Sequence, residues 1–264
     1  MKNSSIRLHA LLGSLAACAL VLNGCNDPNS SSTAPANGRG ARLSATSYVV
    51  YVGNNVPYAD NNAILAYEWI DEKFVTIPGS PFKTTGKGMA NFKQTLGPND
   101  SDQCLAFSAD RKRMFAVNSG SNTIAVFNVN ADGTLTAVSG SPFPSGGINP
   151  VSLGVRDNLL FVVNKNDDPE QPNAGKPNYT SFTIGANGSL TPVPGSTLET
   201  VAKATPAHAY VAPNKNLVFG ADFLAFMSPT PAGTLRAFTI DAQGKLNPSP
   251  GTPKPIDGMG GALG

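Results

Sequence analysis

TIAVFNVNADGTLTAVSGSPF, residues 123–143, holds an alternating apolar run, an Asp-Gly turn, a second alternating run and a Gly-Ser pair. Period-two alternation is the pattern of a strand with one face inward, and Asp-Gly supplies the positive φ of a tight hairpin. The pattern returns as TSFTIGANGSLTPVPGST (180–197) and RAFTIDAQGKLNPSPGTP (236–253), and less regularly as LAYEWIDEKFVTIPGSPF (65–82). Gly79, Gly140, Gly195 and Gly251 mark one place in each copy and lie 61, 55 and 56 residues apart.

Two further strands belong to the repeat. Each copy is preceded by a run that ends in an Asx residue: VVYVGN at Asn54, MFAVN at Asn118, LFVVN at Asn164 and LVFGAD at Asp222. The three later copies carry one more short strand ahead of that, at 104–110, 150–155 and 206–213. The first copy lacks this strand, which is expected at the outermost register. Four antiparallel strands at a period near 50 predict an all-β fold, a β-propeller of four-stranded antiparallel blades. About four blades are present. A lone twisted sheet cannot cover both its apolar faces, whereas repeated sheets stacked side by side cover one another. A β-sandwich is the rival, and it explains no 55-residue self-similarity.

The first residues read differently. Lys2 and Arg7 precede the apolar run LLGSLAACALVL (11–22), which is too short to span a bilayer and has the arrangement of a signal peptide. Its end, Leu-Asn-Gly-Cys, resembles a bacterial lipobox, which implies removal of residues 1–24 and lipidation of Cys25. Residues 25–44, rich in Ser, Asn, Pro and Gly, form a flexible tether that spans roughly 25 Å. The expected location is the bacterial cell envelope, with the lipid anchor as membrane partner. Asn26 after the cysteine favours the outer membrane over the inner in that resemblance. The partial propeller then occupies 45–264. Net charge is +2, two of it from the leader, so the mature chain is neutral and offers no basic stripe for nucleic acid. Cys104 is the only cysteine outside the leader and the lipidation position, and its alternation with apolar neighbours marks a core residue.

Residues 105–153 resemble the β-propeller lactonase family, which includes a bacterial 6-phosphogluconolactonase and a fungal carboxymuconate-cyclising enzyme. The matching pieces are Val117-Asn118-Ser119-Gly120-Ser121-Asn122, the turn Asp132-Gly133-x-Leu135, Ser145-Gly146-Gly147 and Pro150-Val151-Ser152. The resemblance implies seven blades and hence about three beyond those counted here; GMGGALG (258–264) looks like the start of another. An open arc would expose apolar faces and invite self-association.

Lactone opening needs an activated water and a donor or cation for the developing oxyanion. His208, the only histidine outside the leader, lies in Pro206-Ala207-His208, which resembles the family's Pro-Arg-His-x-x-x-x-Pro stretch. That makes His208 the catalytic acid/base candidate, with Ala207 where the family carries arginine. Arg236 and Arg156 are candidate cations, or solvated blade residues. Asn118, Asn164 and Asp222 recur at equivalent places and are candidate binding residues, or turn caps. NVNADG (128–133) imitates a calcium loop but reaches Ser139 where glutamate is needed, so no metal and no cofactor is expected. The ligand class is a small lactone or a carbohydrate. Two functions follow: an envelope-tethered lactonase-like hydrolase, or a non-catalytic propeller lipoprotein that binds a partner or glycan.

Overall fold

The computed structural model describes residues 18–23, 47–89, 103–222 apart from 169, 172, 173 and 214, and 233–256. Cys25, the tether 25–44 and the terminal run 258–264 lie outside the described residues.

Among the described residues four antiparallel sheets follow one another along the chain. The first holds β1 (Cys18–Asn23), β2 (Tyr48–Gly53), β3 (Ala63–Ile70) and β4 (Lys73–Thr76), with β5 (Phe82–Lys83) also on β3. The second holds β6 (Leu105–Phe107), β7 (Arg113–Asn118), β8 (Thr123–Val129), β9 (Leu135–Ala137) and β10 (Phe143–Pro144). The third holds β11 (Pro150–Arg156), β12 (Leu159–Asn164), β13 (Asn178–Ile184), β14 (Leu190–Pro192) and β15 (Leu198–Glu199). The fourth holds β16 (Tyr210–Val211), β17 (Leu217–Asp222), β18 (Thr234–Ile240), β19 (Leu246–Pro248) and β20 (Lys254–Pro255). These are propeller blades, and the all-β fold expected from the repeat is the one observed.

Two features differ from the sequence expectation. The strand ahead of the first copy, expected at the outermost register, is the innermost: β1, β6, β11 and β16 pack on one another in succession. Order along the chain is the same whether a blade is threaded inward or outward, so the repeat alone leaves the radial direction open. Also, β1 comes from residues 18–23, inside the expected leader, and pairs with β2 from Cys18↔Gly53 to Asn23↔Tyr48.

The outer strand of each blade is broken in two, and the Gly-Ser pair explains the break. Gly79, Gly140, Gly195 and Gly251 all adopt positive φ, between 68° and 85°. In the first two blades the bulge takes a ladder carbonyl away from the neighbouring strand, and a hydroxyl replaces it. Ser80 Oγ accepts the Ala66 amide at 2.9 Å, and Ser141 Oγ accepts that of Val126 at 2.9 Å.

Blades are joined by apolar clusters and by one repeated hydrogen bond. Val49, Tyr51 and Ile64 pack on Leu105, Met114 and Phe127 between the first two blades. Phe115 and Ile124 pack on Leu160 and Phe182 between the next two, and Phe161 and Tyr179 on Val218 and Phe238 between the last two. In each joint a side chain donates to the hairpin turn of the following blade: Tyr51 Oη to Gly133 O at 2.8 Å, Arg113 Nη2 to Ala186 O at 2.9 Å, and Ser181 Oγ to Gly244 O at 2.7 Å. The turn must come close for this. A Cβ on Gly133 (φ 77°) would lie 2.6 Å from Ile77 Cδ1, whereas one on Gly251 (φ 79°) would meet nothing within 4 Å.

Gly133→Ala therefore loses both backbone freedom and fit and is expected to cost about 1–3 kcal/mol. Gly251→Ala loses only the first, so its urea midpoint should fall less. Burial raises the Tyr51 and Tyr179 hydroxyls well above the ordinary tyrosine range, and the charges of Asp132 and Asp222 respectively add to the rise. A phenol kept neutral in this way favours the folded state in full below about pH 10, and the contribution fades as pH rises beyond that. Alkaline titration followed by ultraviolet absorbance should show two of the six tyrosines ionising only as the protein unfolds.

Candidate functional site

The inner strands begin, and the second strands end, at the same end of the arc, so the loops of all blades gather there. Asn118, Asn164 and Asp222 are the last residues of β7, β12 and β17 at this end, and all three are buried. Each is engaged within the framework. Asn118 Oδ1 accepts from Asn62 Nδ2 at 2.7 Å and from Thr84 Oγ1 at 2.6 Å, both in the first blade, and its amide donates to Thr123 Oγ1 at 3.1 Å. Asn164 Nδ2 donates to the Ser145 carbonyl at 3.1 Å and to Asn178 Oδ1 at 3.0 Å. One Asp222 oxygen receives Arg236 Nε and Nη2, each at 2.8 Å, together with the Thr234 hydroxyl.

The structure thus brings Asp222 and Arg236 together as an ion pair facing the third blade. Tyr179 lies beside it; Asp222 pushes its hydroxyl up and Arg236 pulls it down, both less than burial does. In the second and third blades the Asp222 place holds asparagine, and the Arg236 place holds Ala125 and Thr180. The other candidate cation, Arg156, sits at the opposite end, 3.4 Å from Asp157.

His208 is half-buried just ahead of β16, and the chain on either side of it is fixed. The Ala207 amide donates to Ala221 O at 2.9 Å, and the Ala209 amide to Ser152 Oγ of the third blade at 3.2 Å. Its ring stacks on Tyr210 with centroids 6.1 Å apart, and Tyr210 stacks in turn on Phe219. Phe219 alternates along β17 with Val218, which packs on the third blade, so its side chain and the rings stacked on it occupy the other face. His208 and the Asp222–Arg236 pair are therefore on opposite faces of the fourth blade.

One residue of this end was not singled out from sequence. Lys165, directly after Asn164, is fully buried, with Nζ 3.8 Å from Asp167 Oδ2 and its amide donating to Asn149 O at 2.9 Å. The same loop supplies Asp168, which accepts from the Glu170 amide and from Gln171 Nε2, and Glu170, which meets Lys87 of the first blade at 2.9 Å. Lys87 donates a hydrogen bond to Glu170 and holds its carboxyl below the usual range. Pro57, Lys87, Met89, Gly120 and Asp168 line a small pocket of about 30 Å³ there. The available signal was the run KNDDPE (165–170), a lysine among acids immediately after a strand end.

No family model matches the chain, and no curated protein matches it. Solved structures do. A protein from Lactobacillus plantarum aligns at 15% identity with a TM-score of 0.54, over 76% of this chain and 51% of that one. The Pseudomonas aeruginosa periplasmic gluconolactonase aligns at 13% identity with a TM-score of 0.48, over 76% and 52%. The chain spans about half the length of these two structures. At such identity the likeness is one of fold.

Asp222→Asn leaves the Arg236 charge buried without its partner and is expected to lower stability by about 3–5 kcal/mol. Adding Arg236→Thr reproduces the Asn164 and Thr180 arrangement of the third blade, and most of the loss in urea midpoint should return.

Proposed function

We propose that the protein is an envelope-tethered, lactonase-like β-propeller that hydrolyses a cyclic ester of a sugar acid or related carboxylate at the loop-bearing end of the arc. The observation that carries this is His208: a half-buried imidazole at the start of an inner strand, fixed by backbone bonds on both sides, where the motif resembles the family's histidine stretch. In the reaction His208 takes a proton from water as the water oxygen bonds to the lactone carbonyl carbon. The ring C–O bond then breaks, and the alkoxide leaving group takes the proton back from the imidazolium. Ala207 gives no cation for the oxyanion.

His208→Ala is expected to lower hydrolysis of δ-gluconolactone by about a hundredfold or more while circular dichroism stays unchanged. No turnover in the parent, or equal turnover in the variant, overturns the reading. The second reading, a non-catalytic binding propeller, is favoured by one observation: Arg236 is held by Asp222 on the face away from His208 and adds nothing to an oxyanion site there.

Processing before Cys25 would remove β1 with the leader and leave the inner edge of β2 open. Cys25→Ser should abolish incorporation of labelled fatty acid and release the protein from the membrane fraction. A variant that stays membrane-bound and labelled sinks the tether.

A further inference from the structure

The joint between the third and fourth blades departs from the two joints before it at four places that lie together. Two residues ahead of the Asx strand end, the second and third blades hold Ala116 and Val162, and the fourth holds Gly220. On the facing blade, Ile64 and Ile124 serve the first two joints, and Tyr179 takes that place in the third. Ile64 packs with Ala116 and Ile124 with Val162, so those joints are apolar at this level. The remaining departures are Asp222 and Arg236, where the second and third blades carry asparagine with Ala125 or Thr180. Tyr179 needs the glycine: a Cβ on Gly220 would lie 2.2 Å from Tyr179 Oη. The phenol therefore meets β17 between Val218 and Asp222, which share the face of Gly220.

This arrangement leaves two buried polar atoms unmatched. Tyr179 is 1% exposed, and its hydroxyl has no hydrogen-bond partner among the described residues. Burial, the largest influence, raises the pKa of the phenol, and the Ala221 amide is near enough to lower it in part. An amide can only donate, so the phenolic proton still lacks an acceptor. Asp222 is equally buried. Its Oδ2 takes Arg236 and the Thr234 hydroxyl, while Oδ1 has no partner among the described residues. The repeat shows what belongs there: at the same place Asn118 Oδ1 accepts from Asn62 and Thr84 of the preceding blade. Asp222 Oδ1 is the corresponding acceptor, and Tyr179 Oη is a donor from the preceding blade.

We propose that one buried water links them, accepting from Tyr179 Oη and donating to Asp222 Oδ1. The third joint is then tied at its loop-bearing end through a bound water, as the first is tied through Asn118. Buried waters commonly make about three hydrogen bonds to polar groups that the chain leaves unmatched. Alternate residues on a strand lie about 6.7 Å apart. Two hydrogen bonds of about 2.8 Å each let one water reach from a hydroxyl over Gly220 to the carboxylate two residues on. Water also suits the charges. Arg236 already neutralises Asp222 and repels a cation, and the carboxylate repels an anion, whereas a neutral molecule that both donates and accepts satisfies the two atoms. The proposal does not rest on the hydrolase reading, and its tests read stability and electron density, not turnover.

The whole chain carrying Cys25→Ser, which removes the lipid, serves for both measurements. Tyr179→Phe deletes the hydroxyl alone, and the sign of its effect decides. With the water bound, urea titration should show the unfolding equilibrium constant in water rising about fivefold or more, because a satisfied hydrogen bond is lost. A constant that stays level or falls means that the substitution has relieved an unmatched buried donor, and it overturns the proposal. A crystal structure at about 1.5 Å or better should show one water peak within about 3.2 Å of both Tyr179 Oη and Asp222 Oδ1. The peak should vanish or weaken in Tyr179→Phe. No peak there, a direct hydrogen bond between the two side chains, or a peak coordinated as a metal ion overturns the proposal whatever the unfolding constant does.

Discussion

Every sheet in this chain has two apolar faces, and a sheet alone can bury neither. That constraint accounts for most of what repeats. The aromatic at the centre of the second strand, the β-branched or aromatic residue beside it, and the glycine turn that overhangs the previous blade are the parts of one joint. Tyr51 shows the combination in a single side chain: its ring is packed between two blades, and its hydroxyl donates to the Gly133 carbonyl of the next. An aromatic buried in this way contributes about 2–3 kcal/mol through area alone. Losing the joint also strands a buried donor and a buried carbonyl, so the two terms rise and fall together.

The blades were legible because alternation and turn chemistry are local. Gly133, Gly188 and Gly244 at positive φ, and the strand-ending Asx residues, stand where the repeat put them. The break in each outer strand was half legible: the Gly-Ser pair was visible as a signature, but its use of a serine hydroxyl to replace a ladder carbonyl depends on a cross-strand register that sequence does not carry. Radial order was not legible, because threading inward or outward leaves hairpins, spacing and burial pattern alike. The strand of residues 18–23 shows the same limit from the other side. An apolar run of that length suits a secretion leader and suits an inner strand, and composition alone does not separate them.

The candidate site was legible by residue type and not by direction. His208, Asp222 and Arg236 fall in one blade, as the sequence places them, yet a strand sends alternate side chains to opposite faces. Arg236 lies on the Asp222 side and His208 on the Phe219 side. The pair has a physical logic of its own. Where the second and third blades pair asparagine with Ala125 or Thr180 at these places, the fourth places two opposite charges, each of which would be costly to bury alone. The charged arrangement links β17 to β18 through one Asp222 oxygen, which takes Arg236 and the Thr234 hydroxyl together.

The polar residues at the loop-bearing end serve the framework in the same way. Asn118, Asn164 and Asp222 stand at successive strand ends on the loop-bearing side; Asn118 bonds to the preceding blade, and Asn164 and Asp222 bond within their own sheets or to the segment that leads into them. The chain just beyond the strand ends is held instead by backbone hydrogen bonds. His208 is placed by the amides of Ala207 and Ala209, and one blade earlier the Lys165 amide donates to Asn149 while its ammonium lies buried near Asp167. In both cases the fold supplies position through the main chain and leaves the side chain to differ from blade to blade. A repeat that is nearly identical in its strands can thus carry an imidazole in one blade and a buried ammonium in the next without disturbing the joint on which both depend.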